Sequence, residues 1–308
     1  MPAGQERLLR RRIRSIESTQ KITRAMELIA ASRIVRAQQA IVAARPYTEK
    51  MGDVVAEIAS APEAKDHWIF AGGGQGSLVV VLGADRGLAG AFNINVHRAA
   101  DELLRELEAK GVQPDVIGVG RKVRGYFHFR GRALVDTMDG MSDRPRFEDA
   151  QRVVEAIARE LESGQIGQIF LVYTHFSSMG SQRVESRRLV PLQLPEREGS
   201  GTTVFEFEPG PAEILDQLLP RWLEAEIYLA LLESAASFFV AQQRAMKAAT
   251  DNADDLIKTL RRQMNRARQD AITTEIMEIV GGAEALRQSG LDEEALGRPD
   301  IYVFPQAS

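Results

Sequence analysis

In this 308-residue sequence the stretch best suited to chemistry is GADRGLAG, whose glycines Gly83, Gly87 and Gly90 close a short β-branched run that begins at Ser77. A glycine turn leading from a strand into a helix can present backbone N–H groups to a phosphate. The spacing matches neither G-x-G-x-x-G nor the P-loop pattern, and no Lys-Ser or Lys-Thr follows. A tight strand-to-helix connection with close packing explains the same glycines, so both readings stay open. The histidines His67, His97, His128 and His175 are scattered without ligand spacing, and no metal site is expected. Cysteine is absent, which excludes disulfides and thiolate ligands. Acid pairs such as Asp254 with Asp255, or Glu275 with Glu278, fall on helical runs and read as solvated faces. No nucleophile stands beside a base, so no catalytic residue and no cofactor is expected.

The elements that would position these residues begin with the longest. From Arg221 to Val280 there is neither Gly nor Pro, and Met246, Ala249, Ala253, Leu256, Leu260, Met264, Ala267 and Ala271 recur at steps of three and four. Such a run predicts one helix of roughly 90 Å, which cannot bury its stripe alone. Gln5 to Arg45 also lacks both breakers, with Leu9, Ile13, Ile16, Ala30, Ile34, Ala37, Ile41 and Ala44 in a four-three series. In its middle the series falls on Gln20, Thr23 and Glu27, while Ile22, Met26 and Ile29 form a stripe on an adjacent face. A slip of the seam or a second partner explains that offset. Pro46 interrupts or kinks the run, and APEAKD ends it.

Between the long helices the period changes. Ser77 onward reads as strand, turn and then helix to about Ala109. Strands at 115–120, near 133–135 and at 168–174, with a helix in FEDAQRVVEAIARELES, predict an α/β unit with a parallel or mixed sheet. Leu189 to Leu194 and Thr203 to Phe207 read as further strands around the turn-like PEREGSG. Both long helices leave this unit, so an antiparallel coiled coil of the two chain ends buries both stripes. The boundaries read 1–61 for the first coil helix, 62–209 for the α/β domain, 210–286 for the second coil helix and 287–308 for an extension.

Composition narrows the function classes. The chain is 44% hydrophobic, 27% charged and only 6% aromatic, which suits long helices better than a sandwich or barrel. No uncharged apolar run of about eighteen residues occurs, so neither a membrane span nor a signal peptide is expected. The net charge is −4, yet residues 1–50 hold eleven Lys or Arg against four Glu. No aromatic precedes Tyr47 to stack on bases, which favours a protein partner over nucleic acid. Aligning the two gap-free runs at the domain leaves the last helix overhanging by about 28 Å, over RRQMNRARQDAITTEIMEIV. Its Met264, Ala267, Ile272, Ile276 and Ile279 would lie bare without a surrounding partner.

Four stretches carry a resemblance: TQKITRAMELIAASR at 19–33, ADRGLAGAFN at 84–93, AMKAATDNADDLI at 245–257 and RARQDAITTEIMEIVGGA at 266–283. Together they resemble the gamma subunit of F-type ATP synthases over nearly the whole chain. The resemblance implies a long antiparallel two-helix coiled coil with a Rossmann-like α/β domain between its helices. It implies a central rotor, noncatalytic itself, that couples transmembrane ion flow, with the proton as expected ion, to ATP synthesis or hydrolysis on beta subunits. Expected partners are the alpha and beta subunits of the ring, the epsilon subunit and the c-subunit ring, at the cytoplasmic face of the cell membrane. Arg268, Gln269 and Thr273 match family positions that hydrogen-bond beta-subunit loops, beside Ile272 and Ile276. Ile22, Met26 and Ile29 fall near the mouth of the catalytic ring.

The chain departs from the family where Ser237, Phe238, Phe239, Gln242 and Gln243 replace a Ser-Glu-His run and a following Arg-Met. Arg261 and Arg262 stand in a usually more apolar stretch, and residues from Arg287 to Ser308 extend past the common end. A coiled-coil adaptor with a vestigial nucleotide-binding domain is the competing reading. It would not co-purify with alpha and beta subunits.

Overall fold

The structure is a computed structural model, and it describes residues 2–59, 61, 64, 67–192, 208 and 210–288. Along the chain run α1 (Pro2–Ile58), α2 (Trp68–Ala71), β1 (Gly76–Leu82), α3 (Phe92–Ala109), β2 (Pro114–Val119) and α4 (Arg121–Phe129). They are followed by β3 (Asp136–Met138), α5 (Phe147–Leu161), β4 (Ile166–Phe176), β5 (Gln182–Val190) and α6 (Pro211–Gln288). Packing divides the chain into two units, the described part of Met1–Ile22 with Thr250–Ser308, and Thr23–Ala249. Helices α1 and α6 contribute to both.

In the first unit the start of α1 packs on the second half of α6. Leu9, Ile13 and Ile16 meet Ile257, Leu260, Met264 and Ala267. Glu17 accepts a 2.7 Å bond from Arg261, and Gln20 Nε2 donates to Asp254 Oδ1 at 2.6 Å. Two details correct the sequence reading. Ile257 is 5% exposed and Leu256 is 42% exposed, so the α6 seam runs Met246, Thr250, Ala253, Ile257, Leu260, Met264, Ala267, Ala271. This alternation of four and three keeps a 3.5-residue period and accepts Thr250, a small polar residue that a hydrophobicity count passes over. Cover by α1 also reaches Ala267, so the bare stretch starts near Ile272 instead of Arg261. Helix α1 extends back to Pro2, and α6 continues through Pro220 to Pro211, so the two gap-free runs did not start level.

The α1 series is continuous through its polar middle, since Gln20, Thr23 and Glu27 are all buried or half-buried between Ile16 and Ala30. Pro46 lies inside the helix without ending it.

The second unit holds one five-stranded sheet in the order β3-β2-β1-β4-β5, parallel except for β5. Both faces of its central strands are covered, which is why β1 reads as an unbroken apolar run. Leu78, Val80 and Leu82 join Ile117, Val119, α5 and the first turns of α6 in one core. Val79 and Val81 join Val116, α3, Val123 and Phe127 in the other. The middle of α6 is buried nearly all round from Trp222 to Val240. Phe238 meets Phe92 edge-on at 5.5 Å, and the Arg33 guanidinium lies 5.3 Å over Phe239, so the unusual aromatic pair anchors α6.

Three sequence expectations shift. Helix α4 was not foreseen, because only Val123 and Phe127 mark its inner face and Gly125 interrupts it. The third strand lies at Asp136–Met138, past the apolar Ala133 to Val135, and β5 starts at Gln182 where Leu189 was expected. It is an edge strand whose charged residues give no apolar alternation. The expected strand Thr203–Phe207, the PEREGSG turn and the extension beyond Gln288 lie outside the described residues.

Candidate partner-contact surface

On α6 beyond the seam, the side chains from Ile272 to Arg287 are all exposed. Ile272, Ile276, Met277, Ile279 and Val280 are between 49% and 68% exposed. A strip of large apolar groups this dense on a solvent-facing helix marks an interaction surface. Its phase is informative. At 100° per residue, Arg268, Gln269, Ile272, Thr273, Ile276, Ile279 and Val280 share one arc of about 140°. The coil seam would continue through Thr274 and Glu278, both polar, on another side. The apolar face therefore changes direction where coil contact ends, and the sequence alone carries that signal.

Arg268 and Gln269 are exposed, and the Thr273 hydroxyl donates to the Gln269 carbonyl at 3.0 Å. The structure thus brings the polar trio and the isoleucines onto one face. Such a face offers donors beside apolar anchors, the make-up of a partner contact.

On α1, Ile22 is 59% exposed in the first unit, while in the second unit Ile29 is 52% exposed and Met26 is half-buried. The stripe beside the seam thus faces outward at Ile22 and Ile29. A second row was missed. Leu28, Val35 and Val42 are exposed at steps of seven, and that heptad spacing was readable in the sequence.

The glycine loop after β1 has a structural explanation. A Cβ on Gly83 would collide with Val123 Cγ2, and a Cβ on Gly120, at φ +100°, would stand 2.7 Å from the Gly83 carbonyl oxygen. Asp85 fills the crevice at the strand ends. Its carboxylate accepts from the N–H groups of Arg121, Gly140 and Ser142 and from the Ser142 hydroxyl, at 2.8 to 3.3 Å. Burial pushes this carboxyl up, but the bonds from Gly140, Ser142 and Arg121 outweigh it and hold it below the ordinary carboxylate value. An internal carboxylate takes the donors that a phosphate would use.

Three of the four histidines serve packing and pairing. His175 meets Glu233 at 2.7 Å, His67 meets Asp216 at 3.0 Å, and His97 stacks on Tyr126. Among the described residues no three His, Asp or Glu side chains are grouped to hold a metal. No described helix is long and apolar enough to cross a membrane.

A family model described as ATP synthase matches residues 5–286. The ATP synthase gamma chain of Frankia casuarinae is 49% identical over 294 residues, spanning 92% of this chain and 98% of that protein. The ATP synthase gamma chain of Streptomyces coelicolor is 45% identical, spanning 92% and 96%. Among solved structures, a chain of the Euglena gracilis mitochondrial ATP synthase superposes with a TM-score of 0.66 at 15% identity, covering 94% of this chain and 98% of that one. A chain from the Tetrahymena thermophila mitochondrial ATP synthase central stalk and c-ring gives 0.57 at 20% identity, covering 74% and 99%. Those two share the fold.

Proposed function

The chain belongs to the family of ATP synthase gamma chains, and from that premise we propose that it turns as the central-stalk rotor of a rotary ATP synthase. It couples transmembrane ion flow to ATP synthesis or hydrolysis on other subunits. Its own residues position and push; the catalytic groups belong to the ring. Alpha and beta subunits surround the end of α6, the epsilon subunit and the c-ring meet the sheet-bearing unit, and the chain is peripheral on the cytoplasmic face of the cell membrane.

The observation that carries this reading is the bare face from Arg268 to Val280, where apolar anchors and hydrogen-bond donors point outward from a helix with no coil cover. Two antiparallel helices have no threefold symmetry. A ring of three equivalent sites around them meets a different surface at each site, so the sites are held in different conformations and binding energy passes between them as the shaft turns. Apolar contact at Ile272 and Ile276 favours a dry, sliding fit, while Arg268 and Gln269 add directional bonds that distinguish one angle from another.

Co-expression with the remaining subunits tests the reading. A tagged chain should bring down a ring of alpha and beta subunits that hydrolyses ATP. A chain that purifies without such a ring, while the ring assembles and hydrolyses in its absence at the full ion-coupled rate, would overturn it.

A further inference from the structure

The first unit carries a dense collar of arginines. Residues 5–17 hold five Arg and residues 260–270 hold four, against the acids Glu6, Glu17 and Asp270. Two of those acids are already engaged, Glu6 with Arg10 and Glu17 with Arg261, each at 2.7 Å. Arg7, Arg11, Arg14, Arg262 and Arg266 are exposed, and among the described residues no ion pair joins them to an acid. We propose that this collar docks a wall of carboxylates on a surrounding protein. The inference rests on the rotor reading and adds to it the chemistry of the ring's inner surface at this height.

On α1 the arrangement is periodic. Arg7, Arg10, Arg11 and Arg14 stand at i, i+3, i+4 and i+7, within an arc of about 100° turned away from the seam of Leu9, Ile13 and Ile16. Like charges at those steps oppose helix formation, and Glu6 alone answers the four cations. A stripe that breaks a local rule over two turns, without compensation inside the chain, points to compensation from outside.

On α6, Arg262 and Arg266 are one turn apart and also face away from their seam. At 100° per residue Arg262 lies within the arc of the bare face, and Arg266 stands about 20° beyond its Thr273 edge. These two arginines carry that surface back along the coil, over the stretch that α1 covers on its other side.

The placements select the partner. Packing of Leu9 and Ile13 with Leu260 and Met264 sets both stripes at one height. Each points away from its own seam, so they lie on opposite sides of the coil. A membrane, a nucleic-acid duplex or a second copy of the chain meets one side, and the second copy brings the same charge. A wall that encloses the coil meets both. Because Ile272 and Ile276 share the α6 arc, that wall needs apolar groups as well as anions, which a protein supplies and a free polyanion does not. Its anions are carboxylates, whose paired oxygens match the guanidinium fork.

The test mixes the dye-labelled full-length chain with alpha and beta subunits and follows complex formation by anisotropy. It is run at about 0.1 M and about 1 M NaCl, between which the screening length falls from about 10 Å to about 3 Å. Wild type should associate faster at the lower salt. Arg7→Gln, Arg11→Gln and Arg14→Gln together relieve repulsion within α1 and should keep the thermal midpoint. They should slow association at the lower salt by at least about tenfold and leave it near wild type at the higher. The same three positions changed to Lys keep the charge and should keep the salt dependence. Equal rates for wild type and the glutamine variant at the lower salt overturn the collar. So does a defect that salt does not screen, or a lysine variant as slow as the glutamine one. Glutamine substitution that abolishes binding to polyphosphate while leaving assembly unchanged would assign the stripe to a free polyanion and overturn the carboxylate wall. A wild-type chain that joins no ring at either salt removes the rotor reading itself, and the inference with it.

Discussion

Two stretches of α6 that both carry large apolar side chains have opposite fates. From Trp222 to Val240 nearly every side chain is buried, and from Ile272 to Arg287 every one is exposed. In the first stretch the polar residues are held as firmly as the apolar ones. Glu224 pairs with Arg221, Glu226 accepts from Arg187 at 2.8 Å, and Glu233 meets His175 at 2.7 Å and Arg45 at 3.4 Å. Burial pushes the Glu226 carboxyl up, and Arg187 counters that without overcoming it. In the second stretch Ile272, Ile276, Ile279 and Val280 touch nothing comparable. Both are nonetheless parts of one continuous helix. What separates them is whether the same chain supplies the covering layer, and for the second stretch the rotor reading assigns that layer to the ring.

The comparison breaks most readily through stability. Phe238→Ala should cost about 3–5 kcal/mol, the range for an aromatic removed from a packed core, read as a lower denaturant midpoint. Ile276→Ala should shift the same midpoint by less than about 0.5 kcal/mol. Equal losses would mean that the isolated chain covers its own tip. Asp85 extends the buried side of the contrast to a loop. Asp85→Ala strands three N–H groups and one hydroxyl, at about 1–3 kcal/mol for each unsatisfied buried group, so a loss of about 3 kcal/mol is expected. The pH dependence follows from the depressed carboxyl. Its contribution is present above the unfolded carboxylate value of about 4 and is lost as pH falls through the folded value. Asp85→Asn should therefore lower stability at neutral pH and flatten the acid limb of a stability–pH curve.

Much of this was legible in the sequence, and the failures share a cause. The long helices, the β1 and β4 runs and the α/β alternation follow from period and breakers, which local residues determine. The Leu256 assignment failed because hydrophobicity was weighed above phase, and Thr250 is a seam residue by position. Helix α4 and strand β5 escaped because each is polar on one side and takes its form from neighbours: α4 from Val116 and Val123 packing, β5 from the ladder with β4. The candidate contact residues were named from a family resemblance, and the common face of Arg268 to Val280 was legible as a periodicity. That the arginines of α1 and α6 form one collar was not, since they are brought together only by the packing of α1 on α6.

A subtler sharpening lies within the coil. Ile257→Ala should cost about 2 kcal/mol and Leu256→Ala no more than about 0.5 kcal/mol, because only the first removes buried methyl groups from the seam. Thermal unfolding followed by circular dichroism distinguishes the two. The reverse order would restore the seam to Leu256.

The smallest effect on the isolated chain should come from the polar edge of the bare face, where the largest functional effect per contact is expected. Arg268 and Gln269 are exposed, so replacing both by leucine keeps helix propensity and leaves the midpoint within about 0.5 kcal/mol of wild type. On the rotor reading the same two side chains face the ring. A charge-assisted bond from Arg268 in a largely dry contact contributes about 1.5–3 kcal/mol, enough to change which catalytic site closes by a factor of ten or more. Leucine keeps the apolar contact with Ile272 and Ile276 and removes only the donors. The double variant should therefore assemble, checked by native gel, while multisite ATP hydrolysis and ion-driven synthesis fall together by about tenfold. A fall in synthesis alone would place the defect in ion coupling and away from this face. Full turnover in an assembled double variant would leave Ile272, Ile276 and the bulk of the helix to act by shape, and the tip of α6 would then differ from its middle only in which molecule covers it.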